Sequence, residues 1–186
     1  MNDILSSMRV VVVTMLVCVA GYTTLILGVA NALTPETARG SLITDGTGEV
    51  IGSRLVAQGF TEPRYFWPRP SAVDYDAAAA GGSNLSPANP ELTDRAETII
   101  AAYGVDAVIP ADLVTASGAG LDPHISRDGA LFQVARVAEA RGMNADAVRG
   151  TIERLAFSPG GPFTQDRIVN VLELNLALDA DTGTGA

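Results

Sequence analysis

The sequence predicts one N-terminal transmembrane helix followed by a single α/β (α+β) domain, a small sheet with about three helices. Three observations predict it. Val10 to Leu33 is a run of 24 residues without a charged side chain. The remaining 153 residues are enough for one domain with its own core, near the usual ~100–150 residues. Within them, strand-like segments lie at both ends and helix signals lie between.

The apolar run comes first. At ~1.5 Å per residue it reaches ~36 Å as a helix, enough to cross the ~30 Å hydrocarbon core of a bilayer with some tilt. The rival is a cleaved signal peptide, with Ala30-Asn31-Ala32 as the cleavage site. The run exceeds the ~7–15 apolar residues of a signal peptide, and the leading segment holds Asp3 beside its one Arg9. An uncleaved, single-pass anchor at the cell (plasma) membrane is the expectation. Residues 1–9 form a short cytoplasmic tail, 10–33 cross the lipid and 34–186 form an extracytoplasmic domain. Arg9 and Arg39 flank the span, so charge asymmetry contributes little, and the short tail before a long domain sets the orientation. Thr14, Cys18, Gly21, Leu25 and Gly28 recur at helical spacing with Thr24 beside them. Such small side chains let another membrane helix approach closely.

Composition narrows the function. The net charge is −9 and all twelve basic residues are arginines, without a basic cluster, so no nucleic acid is expected as a partner. Cys18 is the one cysteine, which excludes an intrachain disulfide. His124 is the one histidine, so no His/Cys set exists for zinc. A chain without lysine has no Walker A loop.

Leu42-Ile43 and Glu49-Val50-Ile51 read as strands around an Asp45-Gly46 turn, with Leu55-Val56-Ala57 beside them. The Gly46-x-Gly48-x-x-x-Gly52 spacing lacks the strand-then-helix context of a dinucleotide site. Thr61 to Pro90 holds five prolines, Gly81-Gly82 and the aromatics Tyr65, Phe66, Trp67 and Tyr75. It reads as a long loop, too aromatic to be disordered. Part of Tyr65-Phe66-Trp67 is expected to pack inside the domain, and the tip Gly81, Gly82, Ser83 and Asn84 to face a partner. Glu62, Asp74 and Asp76 lack the dense oxygen alternation of a calcium loop and read as surface carboxylates.

Asn89-Pro90 opens a helix that Gly104 ends, with Leu92, Ala96, Ile99 and Ile100 as its apolar stripe. Ser126 caps a second helix ending at Arg141-Gly142, with Leu131, Val134, Val137 and Ala138 inside. Asn144 caps a third, with Val148, Ile152 and Leu155 on one face. Arg167 to Leu178 reads as a buried strand. Ser117, Asp122 and His124 lie close in sequence, and a membrane-anchored extracytoplasmic hydrolase using them is the alternative function. The nucleophile-elbow spacing is absent, and a histidine ahead of a helix cap orders a loop.

Several long segments carry a resemblance. They are GYTTLILGVA from Gly21, GSRLVAQ from Gly52, YFWPRPSAVDYDAAAAGGSNLSPANPEL from Tyr65, PADLVTASGAGLDPHIS from Pro110, ALFQVARVAEARG from Ala130 and VNVLELNLALD from Val169. With these, in order along almost the whole chain, the sequence resembles the C subunit of the bacterial Kdp potassium-transporting P-type ATPase. Thr23 stands where that family usually has proline, and Trp67 where a polar residue is common. The resemblance implies a non-catalytic, single-span accessory and assembly subunit of a high-affinity potassium uptake pump. Its implied partners are a potassium-translocating subunit, an ATP-hydrolysing P-type subunit and membrane lipid. ATP and potassium act in the complex, with no cofactor of the chain's own and no metal. The resemblance further implies a catalytic chaperone that raises ATP affinity, with Gln133 at the position of a proposed nucleotide contact.

Overall fold

A computed structural model describes residues 2–164 and 166–181. Its contacts divide the chain into two compact units, Met1–Leu42 and Ile43–Ala186.

The first unit is a helix over Asn2–Leu33, long and apolar enough to cross a membrane, with none of its span buried inside the protein. It comprises α1 (Asn2–Met15), a π-helical stretch Leu16–Gly21 and α2 (Tyr22–Leu33). The helix thus begins within the expected tail. Its polar side chains bond their own backbone: Thr14 Oγ1 donates to the Val10 carbonyl at 2.8 Å and Asn31 Nδ2 to the Leu27 carbonyl at 2.8 Å. In lipid, where no water competes, such internal pairing removes the cost of a bare donor. Thr34 breaks the helix, Pro35 starts the short α3 (Pro35–Ala38), and Gly40 at φ +87° turns the chain out of it.

The second unit opens with a hairpin of β1 (Leu42–Thr44) and β2 (Val50–Ser53), as the turn signal predicts. Asp45 Oδ1 accepts from the amides of Thr47 (2.8 Å) and Glu49 (2.9 Å), which makes this glycine-rich stretch a side-chain-closed turn. Of Leu55 to Ala57, only Val56 bridges back, to Ser53.

Then follow α4 (Pro90–Tyr103), β3 (His124–Ser126), α5 (Arg127–Arg141), α6 (Ala145–Leu155), β4 (Ile168–Asn170) and α7 (Val171–Asp181). The expected caps are in place. The side chains of Asn89, Ser126 and Asn144 accept the first free amides of α4, α5 and α6, and Gly104 and Gly142 end α4 and α5 in the left-handed conformation.

Three expectations are corrected. Arg167 to Leu178 is not one strand: β4 stops at Asn170 and α7 begins. The buried residues Val171, Leu172, Leu174, Asn175 and Leu178 fall at helical spacing. Asn170 Oδ1 accepts the Glu173 amide at 3.1 Å, the local bond of a helix cap. An apolar run alone does not separate buried strand from buried helix. Second, the described residues form two separate two-stranded sheets rather than one, because His124–Ser126, expected as loop, pairs antiparallel with β4. Third, Ile100 on α4 is exposed, and the inner stripe of that helix is only half-buried.

The core gathers Phe66, Leu113, Ile125, Val134, Val137, Val148, Ile152, Val169, Leu174 and Leu178. α5 lies at its centre, against α6, and α7 packs on α6.

Candidate functional site

The most constructed feature of the domain has no regular secondary structure. Glu62 to Pro70 includes Pro63, Pro68 and Pro70, which cannot donate, so a ladder along this segment is excluded. Its backbone groups are satisfied by side chains from far along the chain. Asn175 of α7 holds Phe66 with both amide ends, accepting from its N–H at 2.8 Å and donating to its carbonyl at 3.1 Å. Gln133 of α5 does the same to Trp67, at 2.8 and 3.1 Å. Successive residues of an extended chain present these groups on opposite sides, so one amide comes from each helix. Arg136 donates to the Pro63 and Tyr65 carbonyls (2.6 and 3.0 Å), and Arg141 Nε to the Arg64 carbonyl (2.6 Å). The segment is a strap, gripped as a β-partner would grip it, with Phe66 fully buried beneath.

The cations of this cradle are handled individually. The Arg141 side chain is 3% exposed and pairs with Asp179 at 2.8 Å, so its buried charge is neutralised. Arg136 lies 3.8 Å over the Trp67 ring. Burial pushes its pKa down to about 10, still charged at neutral pH. Trp67 packs 5.2 Å from Tyr103, which meets Phe132 edge-on at 5.5 Å. Burial there pushes the Tyr103 phenol up to about 12.

The structure places the expected site residues as follows. Gln133 is 1% exposed, inside the domain. The Gly81 amide donates to the Ala119 carbonyl at 2.9 Å, and a Cβ on Gly82 would stand 2.6 Å from the Gly118 carbonyl oxygen. Gly81, Gly82 and Ser83 therefore rest half-buried on residues 117–120 of the same domain, while Asn84 is exposed. In the membrane helix, Gly21, Thr24 and Gly28 line one shallow groove with Ala20, Leu25, Val29 and Ala32. Thr14 and Cys18 do not line it. The π stretch inserts a residue into the helical count between them and Gly28, which rotates the written stripe.

Ser117, Asp122 and His124 come together as loop architecture. His124 Nδ1 lies 3.2 Å from Asp122 Oδ1, and Arg69 Nη1 lies 3.3 Å from Asp122 Oδ2. The hydrogen bond from His124, helped by its backbone amide and by Arg69, holds the Asp122 carboxyl below its ordinary pKa. Ser117 is buried, and its hydroxyl accepts the Asp122 amide at 3.5 Å. The His124 ring packs edge-on against Phe157 at 5.6 Å. Glu62 pairs with Arg64 and Asp76 closes a turn on the Ala78 amide. Among the described residues no three His, Cys, Asp or Glu side chains converge as metal ligands.

Sequence reasoning missed Asn175, Arg136 and Arg141 as strap holders. The available signal was Asn175 itself, a polar residue between Leu174 and Leu176 in a leucine-rich core element.

The family model described as "K+-transporting ATPase, c chain" (KdpC) matches residues 4–180. A potassium-transporting ATPase KdpC subunit of Parvibaculum lavamentivorans is 57% identical over 181 residues, covering 96% of this chain and 97% of the relative. Its counterpart in Geobacter metallireducens is 44% identical over 185 residues, covering 96% and 98%. That of Caulobacter sp. is 46% identical over 164 residues, covering 86% and 84%. The chain therefore belongs to the KdpC family, as a single-pass, non-catalytic accessory subunit of the potassium-transporting P-type ATPase complex.

Proposed function

We propose that the chain assembles and supports the pump from outside the cytoplasm. Residues 10–33 cross the membrane once, residues 1–9 stay on the cytoplasmic side and residues 34–186 stand on the outer side. It joins a potassium-translocating subunit and an ATP-hydrolysing subunit, and as a catalytic chaperone raises the ATP affinity of the latter. ATP and potassium are bound by those partners. The observation that carries this reading is the anchor. The helix Asn2–Leu33 is long and apolar enough to cross a membrane, and Gly21, Thr24 and Gly28 form a face of small side chains on it. A lone helix gains little from such a face, whereas a neighbouring helix packs closely against it.

The test is co-purification from membranes. Gly21→Leu or Gly28→Leu should lower the recovery of the two larger subunits, and Leu16→Ile should leave it unchanged. A reporter active only outside the cytoplasm, fused at the C-terminus, should be active. Full recovery with both glycine variants would remove the packing face, and a reporter active only in the cytoplasm would reverse the orientation.

A further inference from the structure

The geometry points to a hinged flap. Residues 83–109, with α4 at their centre, are held closed by one latch, Tyr103 seated between Trp67 and Phe132, and open as a unit while the rest of the domain stays folded. This goes beyond the accessory role proposed above and does not rest on it.

Two fixed points bound the flap. Before it, the Gly81 amide donates to the Ala119 carbonyl at 2.9 Å. After it, the Asp112 carboxylate accepts from the Ser126 amide and hydroxyl at 2.6 and 3.0 Å, and Leu113 enters the core. Between these points, among the described residues, every hydrogen bond of residues 83–109 closes within the stretch, and no ion pair leaves it. The strap receives side chains from α5 and α7, whereas the flap receives none.

Apolar contact is equally sparse. Among the described residues, Tyr103 is the one residue of α4 that packs against the core. Its ring lies 5.2 Å from Trp67 and 5.5 Å from Phe132. Leu92, Ala96 and Ile99 are only half-buried. Closure also leaves a donor unmet: Arg95 Nε is buried without a hydrogen-bond partner, and water would satisfy it on opening. A region with so few buried contacts opens at a free energy well below that of global unfolding.

Both flanks leave room to swing. Gly104, at φ +64°, through Val108 is exposed, as are Asn84, at φ +49°, and Ser86 to Ala88. α4 is capped at each end by its own residues, yet a helix of 14 residues alone is marginal in water. Opening therefore melts α4 as one piece and uncovers the rings of Trp67 and Phe132.

The experiment is native-state hydrogen exchange on the full-length chain in detergent, at increasing urea below the unfolding transition. In wild type, the interior amides of α4 should share one protection level, at least about a hundredfold lower than that of α5. Their exchange should respond to urea much less steeply than that of α5, because opening exposes only part of the domain. Tyr103→Ala should quicken exchange throughout α4 about tenfold or more and leave α5 unchanged. Ile100→Ala, on the exposed face, should leave α4 within about threefold of wild type. Three results would overturn the flap. One is α4 exchange with the protection and urea slope of α5, which would make α4 part of the cooperative core. Another is exchange graded from the helix ends, with Tyr103→Ala felt only in the last turn, which is fraying. The third is an equal effect of Tyr103→Ala on α4 and α5, or of Ile100→Ala and Tyr103→Ala on α4, which would remove the single latch. Should Tyr103→Ala fail to fold, the urea slopes of the wild-type chain decide the matter without it.

Discussion

The strap and α4 are opposites. The strap, Glu62 to Pro70, has no regular structure, yet Phe66 within it is fully buried and its carbonyls are met by Gln133, Arg136, Arg141 and Asn175. α4 is a regular 14-residue helix with an asparagine cap, a proline at its first position and a left-handed glycine at its end, and it buries no residue fully. One segment takes its order from tertiary contacts and the other mainly from its own ends. Regular secondary structure and burial are therefore separate properties in this domain.

The sharpest way to break this contrast is to delete one side chain from each segment. Phe66→Ala removes a fully buried ring beneath the strap and should cost about 3–5 kcal/mol, enough to threaten folding of a marginally stable domain. Ile100→Ala on α4 takes away a side chain that is 44% exposed and should stay within about 0.5 kcal/mol. Urea unfolding of the full-length chain, followed by tryptophan fluorescence, would compare them. Similar losses for the two would mean that α4 is integral to the core and the contrast is false.

Glycines sharpen the comparison at a smaller scale. Gly82, in the long loop that follows the strap, rests against the 117–120 backbone. Gly82→Ala would force a Cβ to 2.6 Å from the Gly118 oxygen and should destabilise by about 1–3 kcal/mol. Gly150, in the regular helix α6, has open space around its Cβ position, and Gly150→Ala should stabilise by up to about 1 kcal/mol. The signs should differ in thermal denaturation. Equal and opposite outcomes reversed between the two sites would show that the long loop is loosely seated.

What the sequence disclosed follows the same division. Helix ends were legible because their signals are local: Asn89, Ser126 and Asn144 each bond an amide two or three residues ahead. The order of the long loop was legible from its rings, because exposed aromatics and prolines are costly to leave without a surface. The grip on it was not, since Gln133 and Asn175 stand 66 and 109 residues from the backbone they hold. α7 was misread for a related reason. Its burial comes from several sides, so the apolar run Val169–Leu178 shows neither clean period, although Asn170 with Glu173 three residues on was a readable cap. The π stretch Leu16–Gly21 of the membrane helix was not legible, since no local residue type announces it.

The smallest expected effect tests where the two regions join. Tyr103, the last residue of α4, touches both the strap's Trp67 and Phe132 of α5. Burial raises its pKa from 10.0 to about 12, with Asp112 adding to the shift and Arg136 opposing it. The folded state therefore holds the phenolic proton more tightly than the unfolded chain does. Below pH ~10 both states are protonated and the contact contributes in full; as pH rises from about 10 to about 12 the unfolded state releases its proton first, and stability falls. Tyr103→Phe keeps the ring and removes this titration, so its stability should decline less steeply than wild type across that window, with little difference at pH 7. Denaturant midpoints measured at pH 7, 10 and 11 would show it. Parallel curves for the two proteins would mean that Tyr103 ionises freely, that α4 is not seated on the strap, and that the irregular segment and the regular helix behave as independent parts of the domain.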